Sequence, residues 1–175
     1  MKNKSIYKDA PEYCAYFFDL IQSDSLVFEF EKSKELTLDV FKLISPELEN
    51  HSYQPNKWTV KEVLRHIIDM ERIFAYRAFR FSRFDDTELS GVEENDYIKK
   101  VKTTDIKLAD LKEEYLAVRN STIGIYRNIT TEMLDFNGNA NKQTYTARTL
   151  GFAMIGHNIH HCNFIKTRYL QGKVE

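Results

Sequence analysis

The chain has 175 residues, a length that a single hydrophobic core serves well, and we expect one domain over residues 1–175. Hydrophobic residues make up 42% and charged residues 29% of the composition, which is typical of a globular protein. The 25 basic and 26 acidic residues nearly cancel. This balance gives no sign of the basic excess that nucleic-acid-binding proteins gather on one face.

The sequence also argues against secretion and membrane insertion. Its first residues, MKNKSIYKDAPEYCAYFF, are charged and polar where a secretory signal needs an apolar stretch. No apolar run approaches the ~20 residues that a membrane-spanning helix requires. Cys14 and Cys162 lie far apart and belong to no CxxC pair, so no disulfide framework is expected. We therefore expect a reduced, cytoplasmic protein that binds neither nucleic acid nor membranes.

Helical periodicity predicts four long helices in chain order. The second has the clearest start, because Thr59 and Glu62 have the T-x-x-E spacing of a capping box. Its apolar residues cover most of the helix circumference, which predicts a position deep in a bundle. Gly172 is the expected C-cap of the fourth helix. The predicted helices begin and end near Ser25 and Leu43, Thr59 and Phe81, Asp105 and Asn128, and Thr146 and Leu170.

Two connections bear on the arrangement of these helices. About twenty residues separate helices two and three, enough to span the length of a bundle when extended, at ~3.3 Å per residue. Helices two and three are therefore expected to run parallel. The connection before helix four, DFNGNANKQTYT, is rich in turn-forming residues, and no alternating strand pattern is visible. These features predict an all-α four-helix bundle.

Three of the five histidines lie together in the GHNIHH segment of helix four. His157 and His161 are four residues apart, so they project from one helix face about one turn apart. This is the spacing that two imidazoles need to reach one metal ion. His160 is a competing candidate, and the H-x-x-x-H pattern also occurs by chance on many helices.

His66 is a third candidate, because it lies among aliphatic residues in the middle of helix two. A buried histidine must satisfy its ring nitrogens, and Asp69 and Glu62 are expected to accept hydrogen bonds from it. Those carboxylates would serve equally well whether the ring is a core residue or a metal ligand. His51, in a polar loop, is expected to be solvated.

Other residues of interest have a structural and a functional interpretation. The arginines of helix two are expected to pair with nearby acidic residues at the surface, although arginine also binds substrate carboxylates in a bidentate manner. Gly151 and Gly156 are either small packing residues or points of close helix approach. Neither cysteine is expected to act as a nucleophile, and Tyr97 is a candidate lining residue of the cleft. The arginines of helix two are Arg72, Arg77, Arg80 and Arg83, and their expected acidic partners are Glu71, Asp85 and Asp86.

Four segments occur in an order typical of one protein family: KWTVKEVLRHIIDMERIFAYRAFRFSR (57–83), GVEENDY (91–97), LKEEYLAVRNST (111–122) and TARTLGFAMIGHNIHHCNFIKTRY (146–169). Together they resemble the DinB-like superfamily, the damage-inducible and YfiT-type group of metalloenzymes. The resemblance implies a four-helix bundle with an up-down-down-up course. It also implies a divalent metal, zinc or nickel in many members, held by three histidines. Carried over, the ligand positions are His66, His157 and His161, and His160 is not one of them.

The resemblance also implies candidate activities. Relatives include thiol S-transferases that use bacillithiol or mycothiol, so the first expectation is a metal-dependent transferase that joins a low-molecular-weight thiol to a small electrophile. The alternatives are a metal-dependent hydrolase and a non-catalytic metal- or ligand-binding bundle with a role in stress response. A homodimer is also expected, because relatives often dimerise and because Phe17 and Phe18 are expected to be exposed aromatics that would benefit from cover.

Overall fold

The structure, a computed structural model, describes residues 10–170, so Gly172 lies outside the described residues. Four long helices dominate it, joined by short helices and one β-hairpin. A 3₁₀ turn spans Thr103–Asp105. In chain order the elements are α1 Cys14–Asp19, α2 Leu26–Leu43, α3 Val60–Phe81, α4 Glu94–Lys100, α5 Leu108–Arg127, α6 Thr131–Asp135, β1 Gly138–Ala140, β2 Gln143–Tyr145 and α7 Ala147–Arg168.

Side-chain caps fix the starts of the two helices that carry the candidate histidines. At α3 the Thr59 side chain accepts from the Glu62 backbone N–H, and the Glu62 carboxylate accepts from the Thr59 N–H at 2.7 Å. The predicted capping box is therefore confirmed. At α7, Thr146 and Thr149 make the same reciprocal pair, with a hydroxyl in place of the usual carboxylate.

The course of α3 relative to its neighbours follows from contacts at the helix ends. Lys61, in the first turn of α3, donates to the Ile106 carbonyl at 2.8 Å, just before α5 begins. The starts of α3 and α5 therefore lie at one end of the bundle, and the two helices run parallel. Tyr169, after the end of α7, donates to the Trp58 carbonyl at 2.6 Å, just before α3 begins. Hence α7 runs antiparallel to α3.

Contacts of α2 complete the arrangement. Arg127 at the end of α5 lies 3.3 Å from Glu31 in the second turn of α2, so these helices are antiparallel. Leu26, the first residue of α2, packs against Gly151 near the start of α7, so these two are parallel. Both α2 and α3 pack against α5 and α7, which puts α2 and α3 at opposite corners. The up-down-down-up four-helix bundle predicted from the sequence is confirmed.

The connections hold more structure than the sequence indicated. The segment between α3 and α5 contains α4 and the 3₁₀ turn. The segment expected to be a loop before α7 forms the hairpin β1–β2, so the prediction of no strand was wrong. Asn141 and Lys142 have φ of 52° and 59°, as a type I′ two-residue turn requires. Each strand has three residues, too few to show an alternating pattern.

A buried ion pair interrupts the hydrophobic core. Arg119 of α5 is 0% exposed, and its Nη2 donates to the Glu71 carboxylate of α3 at 2.7 Å. The same guanidinium also donates to Ser33 Oγ and to the Phe30 carbonyl of α2. Glu71 was expected to pair at the surface with an arginine of its own helix, and that expectation was wrong. The pair instead ties three of the four long helices together.

Within residues 10–170, none of the helices combines the length and the apolar composition needed to span a lipid bilayer.

Candidate metal centre

Three histidine side chains from two helices converge at one point in the bundle. His66 Nε2 lies 3.0 Å from His157 Nε2, and His161 Nε2 lies 3.1 Å from the same atom. The candidate ligand atoms of all three lie within 4.8 Å of one another. The spacing of His157 and His161 places both on one face of α7, and the antiparallel course of α3 brings His66 opposite them. The three positions singled out in the sequence are thus adjacent.

Burial keeps these imidazoles uncharged. His66 and His157 are 5% and 9% exposed, and His161 is half-buried. Burial, with a smaller effect of His160, lowers the pKa of His66 to about 4. Burial and the neighbouring His66 and His160 lower the pKa of His161 to about 3, and the pKa of His157 also falls well below its ordinary value. At neutral pH the cluster therefore presents neutral rings, the form that binds metal ions.

The carboxylates expected beside His66 lie elsewhere. Asp69 is 3.6 Å from Arg65 and 3.8 Å from Arg72, and Glu62 is occupied by the α3 cap. Neither accepts a hydrogen bond from the ring, so that prediction was wrong. The Nδ1 atom of His161 is buried and has no hydrogen-bond partner among the described residues.

Aromatic rings surround the cluster instead of carboxylates. The Trp58 ring centroid lies 4.8 Å from that of His66, and the Phe17 and Phe74 rings lie 5.7 and 6.4 Å from that of His157. Sequence reasoning did not identify these three residues as part of the site. Phe74 had a detectable signal, because it lies eight residues after His66 on the same face of α3.

The other two histidines lie outside the cluster. His160 is half-buried, and its Nδ1 hydrogen bonds with the Tyr16 hydroxyl at 2.9 Å, which directs that ring nitrogen away from the convergence point. The ring of His51 packs edge-on to Tyr169 at 6.4 Å and is half-buried, so the expectation of a solvated side chain was only partly right.

Gly156 is a point of close approach, next to the first candidate ligand of α7. A Cβ atom there would lie 2.3 Å from the Phe17 carbonyl oxygen, so only glycine lets the backbone of α1 pack at this position. Phe17 is half-buried and Phe18 is 5% exposed. The expectation that these two aromatics are exposed was wrong, and they give no support to a dimer.

A cavity of about 800 Å³ opens onto the histidine cluster. One wall is a single face of α3, formed by His66, Met70, Phe74 and Arg77, whose spacing of three or four residues makes them neighbours on the helix. Tyr145 lies among the residues of the facing wall, which comes from the chain before α1 and from the β-hairpin. Tyr97 is not among the lining residues.

Neither cysteine lines this cavity, and both are fully buried. Burial raises the pKa of Cys14 and of Cys162 to about 11, so both thiols stay protonated at neutral pH. Cys162 Sγ lies 3.4 Å from the Thr37 hydroxyl, on a different face of α7 from the histidine pair. As predicted, the chain supplies no reactive thiol of its own.

The predicted surface pairing of the α3 arginines is confirmed for two of them. Arg72 lies 2.6 Å from Glu114 and Arg80 lies 2.5 Å from Asp85. Arg77 differs, because it lines the cavity and is 5% exposed.

Comparisons with known proteins agree with this architecture. The chain is similar in structure to YfiT from Bacillus subtilis, described as a probable metal-dependent hydrolase with an unusual four-helix bundle topology. The TM-score is 0.75 at 14% sequence identity, over 86% of this chain and 87% of that one, a likeness that concerns the fold. No curated protein matches the sequence. The family model of the DinB superfamily matches residues 29–165, which include all three clustered histidines. The chain belongs to the DinB superfamily.

Proposed function

We propose that this protein is a metal-dependent enzyme that holds a divalent ion, zinc or nickel, with His66, His157 and His161. The observation that carries the proposal is the convergence of three neutral, buried imidazole nitrogens. Metal–nitrogen bonds of ~2.0–2.1 Å at tetrahedral angles place ligand atoms roughly 3.3 Å apart. The two Nε2 separations of 3.0 and 3.1 Å are close to that value. The third pair, His66 and His161, lies within 4.8 Å, so a small rotation of one ring brings all three nitrogens onto one ion.

The setting of the cluster favours a catalytic site over a structural one. Structural zinc sites use four protein ligands, whereas catalytic sites use three and leave a position open. Among the described residues, the convergent group consists of three histidines. The 800 Å³ cavity reaches them, and its volume suits a small organic substrate.

The proposed reaction is transfer of a low-molecular-weight thiol, of the bacillithiol kind, to a small electrophile. A bound divalent ion would supply Lewis acidity, which favours the thiolate form of a coordinated thiol. The thiol must come from a cosubstrate, because Cys14 and Cys162 are buried and protonated. The rings of Trp58, Phe17 and Phe74 limit the access of water to the histidines.

Hydrolysis is the second candidate, favoured by the description of the similar YfiT structure as a probable metal-dependent hydrolase. Activation of water commonly uses a carboxylate as general base beside the metal. Glu12 and Glu94 line the same cavity, but no described carboxylate hydrogen bonds to any of the three histidines. A thiol, with an ordinary pKa of about 8.5, needs much less help to lose its proton than water does. This difference favours the transferase.

The first experiment measures metal binding in wild type and in His66→Gln and His157→Gln variants, with His51→Gln as a matched control. Wild type and control are expected to bind one equivalent of zinc or nickel, and the cluster variants are expected to lose it while their far-UV circular dichroism is unchanged. At 100 times the dissociation constant, the ion should stabilise wild type by about 2.7 kcal/mol. Failure of wild type to bind either ion at neutral pH would refute the metalloenzyme.

A second experiment separates the candidate reactions. Metal-loaded wild type is incubated with a model electrophile, with and without a low-molecular-weight thiol, and with a panel of activated esters and amides. Conjugation that needs both thiol and metal, and is lost in His161→Gln, supports the transferase. Metal-dependent ester or amide hydrolysis without thiol supports the hydrolase. Metal binding without either conjugation or hydrolysis supports the remaining alternative, a non-catalytic metal-binding bundle.

A further inference from the structure

Arg77 is a buried cation that lines the candidate active-site cavity, and it has no ion pair within residues 10–170. It is 5% exposed, and among the described residues it lies within 4 Å of no carboxylate. Its Nη2 donates to the Ser90 carbonyl at 2.9 Å, and its guanidinium carbon lies 5.9 Å from the Phe74 ring centroid. An arginine side chain has five N–H donors, so most of its donor capacity is available to the cavity.

A buried charge is costly to keep without a counterion, and Arg77 has no counterion in the described part of the chain. The fully buried Arg119 is paired with Glu71 and hydrogen-bonded on both terminal nitrogens. Arg65 is likewise paired with Glu114 through two hydrogen bonds. Because desolvated charges are normally paired, an unpaired guanidinium that faces a cavity indicates a partner that arrives with the ligand.

The position of Arg77 along α3 sets the size of that ligand. His66 and Arg77 lie on the same helix face about three turns apart, which separates their Cα atoms by roughly 16 Å along the axis. The Phe74 ring lies between them, in contact with both His157 and the Arg77 guanidinium. The side chains shorten this separation, because the Phe74 centroid lies 5.9 Å from the Arg77 guanidinium carbon and 6.4 Å from the His157 centroid. The guanidinium is therefore within about 12 Å of the His157 ring, and a ligand that reaches both must place its anionic group no farther than that from its reacting atom.

The remaining charged and titratable residues of the cavity limit the type of anion. Burial raises the pKa of Tyr145, while its hydrogen bond with Tyr13 and the positive charge of Arg77 act in the opposite direction. The Tyr145 hydroxyl is neutral at neutral pH and lies 2.7 Å from the Tyr13 hydroxyl, which also lines the cavity. Glu12 is exposed and Glu94 is half-buried, and both also line the cavity. Two carboxylates nearby repel a dianionic phosphate more strongly than a singly charged carboxylate. A guanidinium binds a carboxylate through two parallel hydrogen bonds.

We propose that Arg77 binds a carboxylate group of the substrate or thiol cosubstrate, and thereby positions the ligand so that its reacting atom lies at the His66–His157–His161 cluster. This inference rests on the proposed function in one respect, the assignment of the ligand's reacting atom to the histidine cluster. It identifies the ligands of this cavity as small molecules that carry a carboxylate group. Arg77 is a binding residue in this assignment and takes no part in bond making.

The test compares two probe series on zinc-loaded protein by isothermal titration calorimetry. The first contains ω-mercaptoalkanoic acids from mercaptopropionate to mercaptoundecanoate, and the second contains the corresponding primary amides. Wild type is expected to bind the best acid about tenfold or more tightly than its amide, as a charge-assisted hydrogen-bonded pair implies. Arg77→Gln should reduce that ratio to near one. Arg77→Lys, which keeps the charge and loses the planar fork, should leave an intermediate ratio.

Arg83→Gln is the matched control, because Arg83 lies just after α3 against the Phe79 ring and does not line the cavity. Its acid-to-amide ratio should equal that of wild type, and thermal melts check that every variant is folded. A wild-type ratio near one, a ratio unchanged in Arg77→Gln, or no binding by any member of the series overturns the assignment.

The outcomes also separate this inference from the proposed function. Zinc-dependent binding of acids and amides with equal affinity would overturn the role of Arg77 and leave the metal site intact. Binding that does not depend on zinc, but prefers acids and loses that preference only in Arg77→Gln, would support Arg77 and count against thiol coordination at the histidines.

Discussion

Acidification is expected to destabilise the metal-free protein through the histidine cluster. The pKa values of His66 and His161 in the folded protein are about 4 and about 3, against about 6.5 for a histidine in the unfolded chain. As the pH falls below 6.5, the unfolded chain takes up protons that the folded chain does not, so the free energy of unfolding falls. The loss continues until the pH reaches the folded pKa values.

The size of the effect follows from the same shifts. Each ring contributes about 1.4 kcal/mol per pH unit in this window, so lowering the pH from neutral to 5 costs about 2 kcal/mol per ring. For a domain that is stable by about 5–15 kcal/mol, the two rings together remove a substantial part of the total. His157, whose pKa is lowered for the same reason, adds to the loss in the same direction.

Urea unfolding with a metal chelator, at several pH values between 8 and 5, measures this loss. Replacing His66 or His161 with glutamine should make the loss on acidification smaller by about 2 kcal/mol, because the titrating ring is gone. His51→Gln, outside the cluster, should show the full wild-type loss. The reasoning is refuted if the cluster variants lose as much stability as wild type over this interval.

Three further substitutions test the packing that supports the site, each by chemical denaturation. Gly156→Ala should lower the free energy of unfolding by about 1–3 kcal/mol, because its Cβ would collide with the Phe17 carbonyl. Gly124→Ala, whose Cβ meets no atom within 4 Å in the interior of α5, should instead raise it by up to about 1 kcal/mol; equal effects at the two glycines would contradict this account. Glu71→Gln should cost about 3–5 kcal/mol by leaving the Arg119 charge uncompensated, and a loss below 1 kcal/mol would show that the buried pair relaxes freely.

The features that the sequence predicted well are those set by local spacing. The Thr59–Glu62 capping box fixed the start of α3, and the four-residue spacing of His157 and His161 put both rings on one helix face. The length of the connection between α3 and α5 indicated their parallel course. His66 was a candidate because it lies among aliphatic residues in mid-helix, and the family resemblance then assigned it as the third ligand position. Spacing along the chain alone says nothing about the distance between helices.

The features that the sequence missed depend on contacts between distant segments. Glu71 had nearby arginines on its own helix, yet it pairs with Arg119, 48 residues away, because both side chains point into the core. The hairpin escaped notice because a two-residue turn with positive φ at Asn141 and Lys142 carries no glycine, the usual marker. In both cases tertiary packing outweighed the local preference.

The long crossover between α3 and α5 allows the lining of the cavity to change independently of the three clustered histidines. A parallel pair of helices needs a connection that returns along the whole bundle, and here that segment carries Val92 and Glu94 to the cavity. The three histidines, by contrast, lie in the rigid interiors of α3 and α7. Insertions, deletions and substitutions in the crossover can therefore reshape the entrance of the cavity while the distances between the ring nitrogens stay the same. If the three histidines hold a metal ion as proposed, one scaffold can in this way acquire new substrates through changes in a single connecting segment.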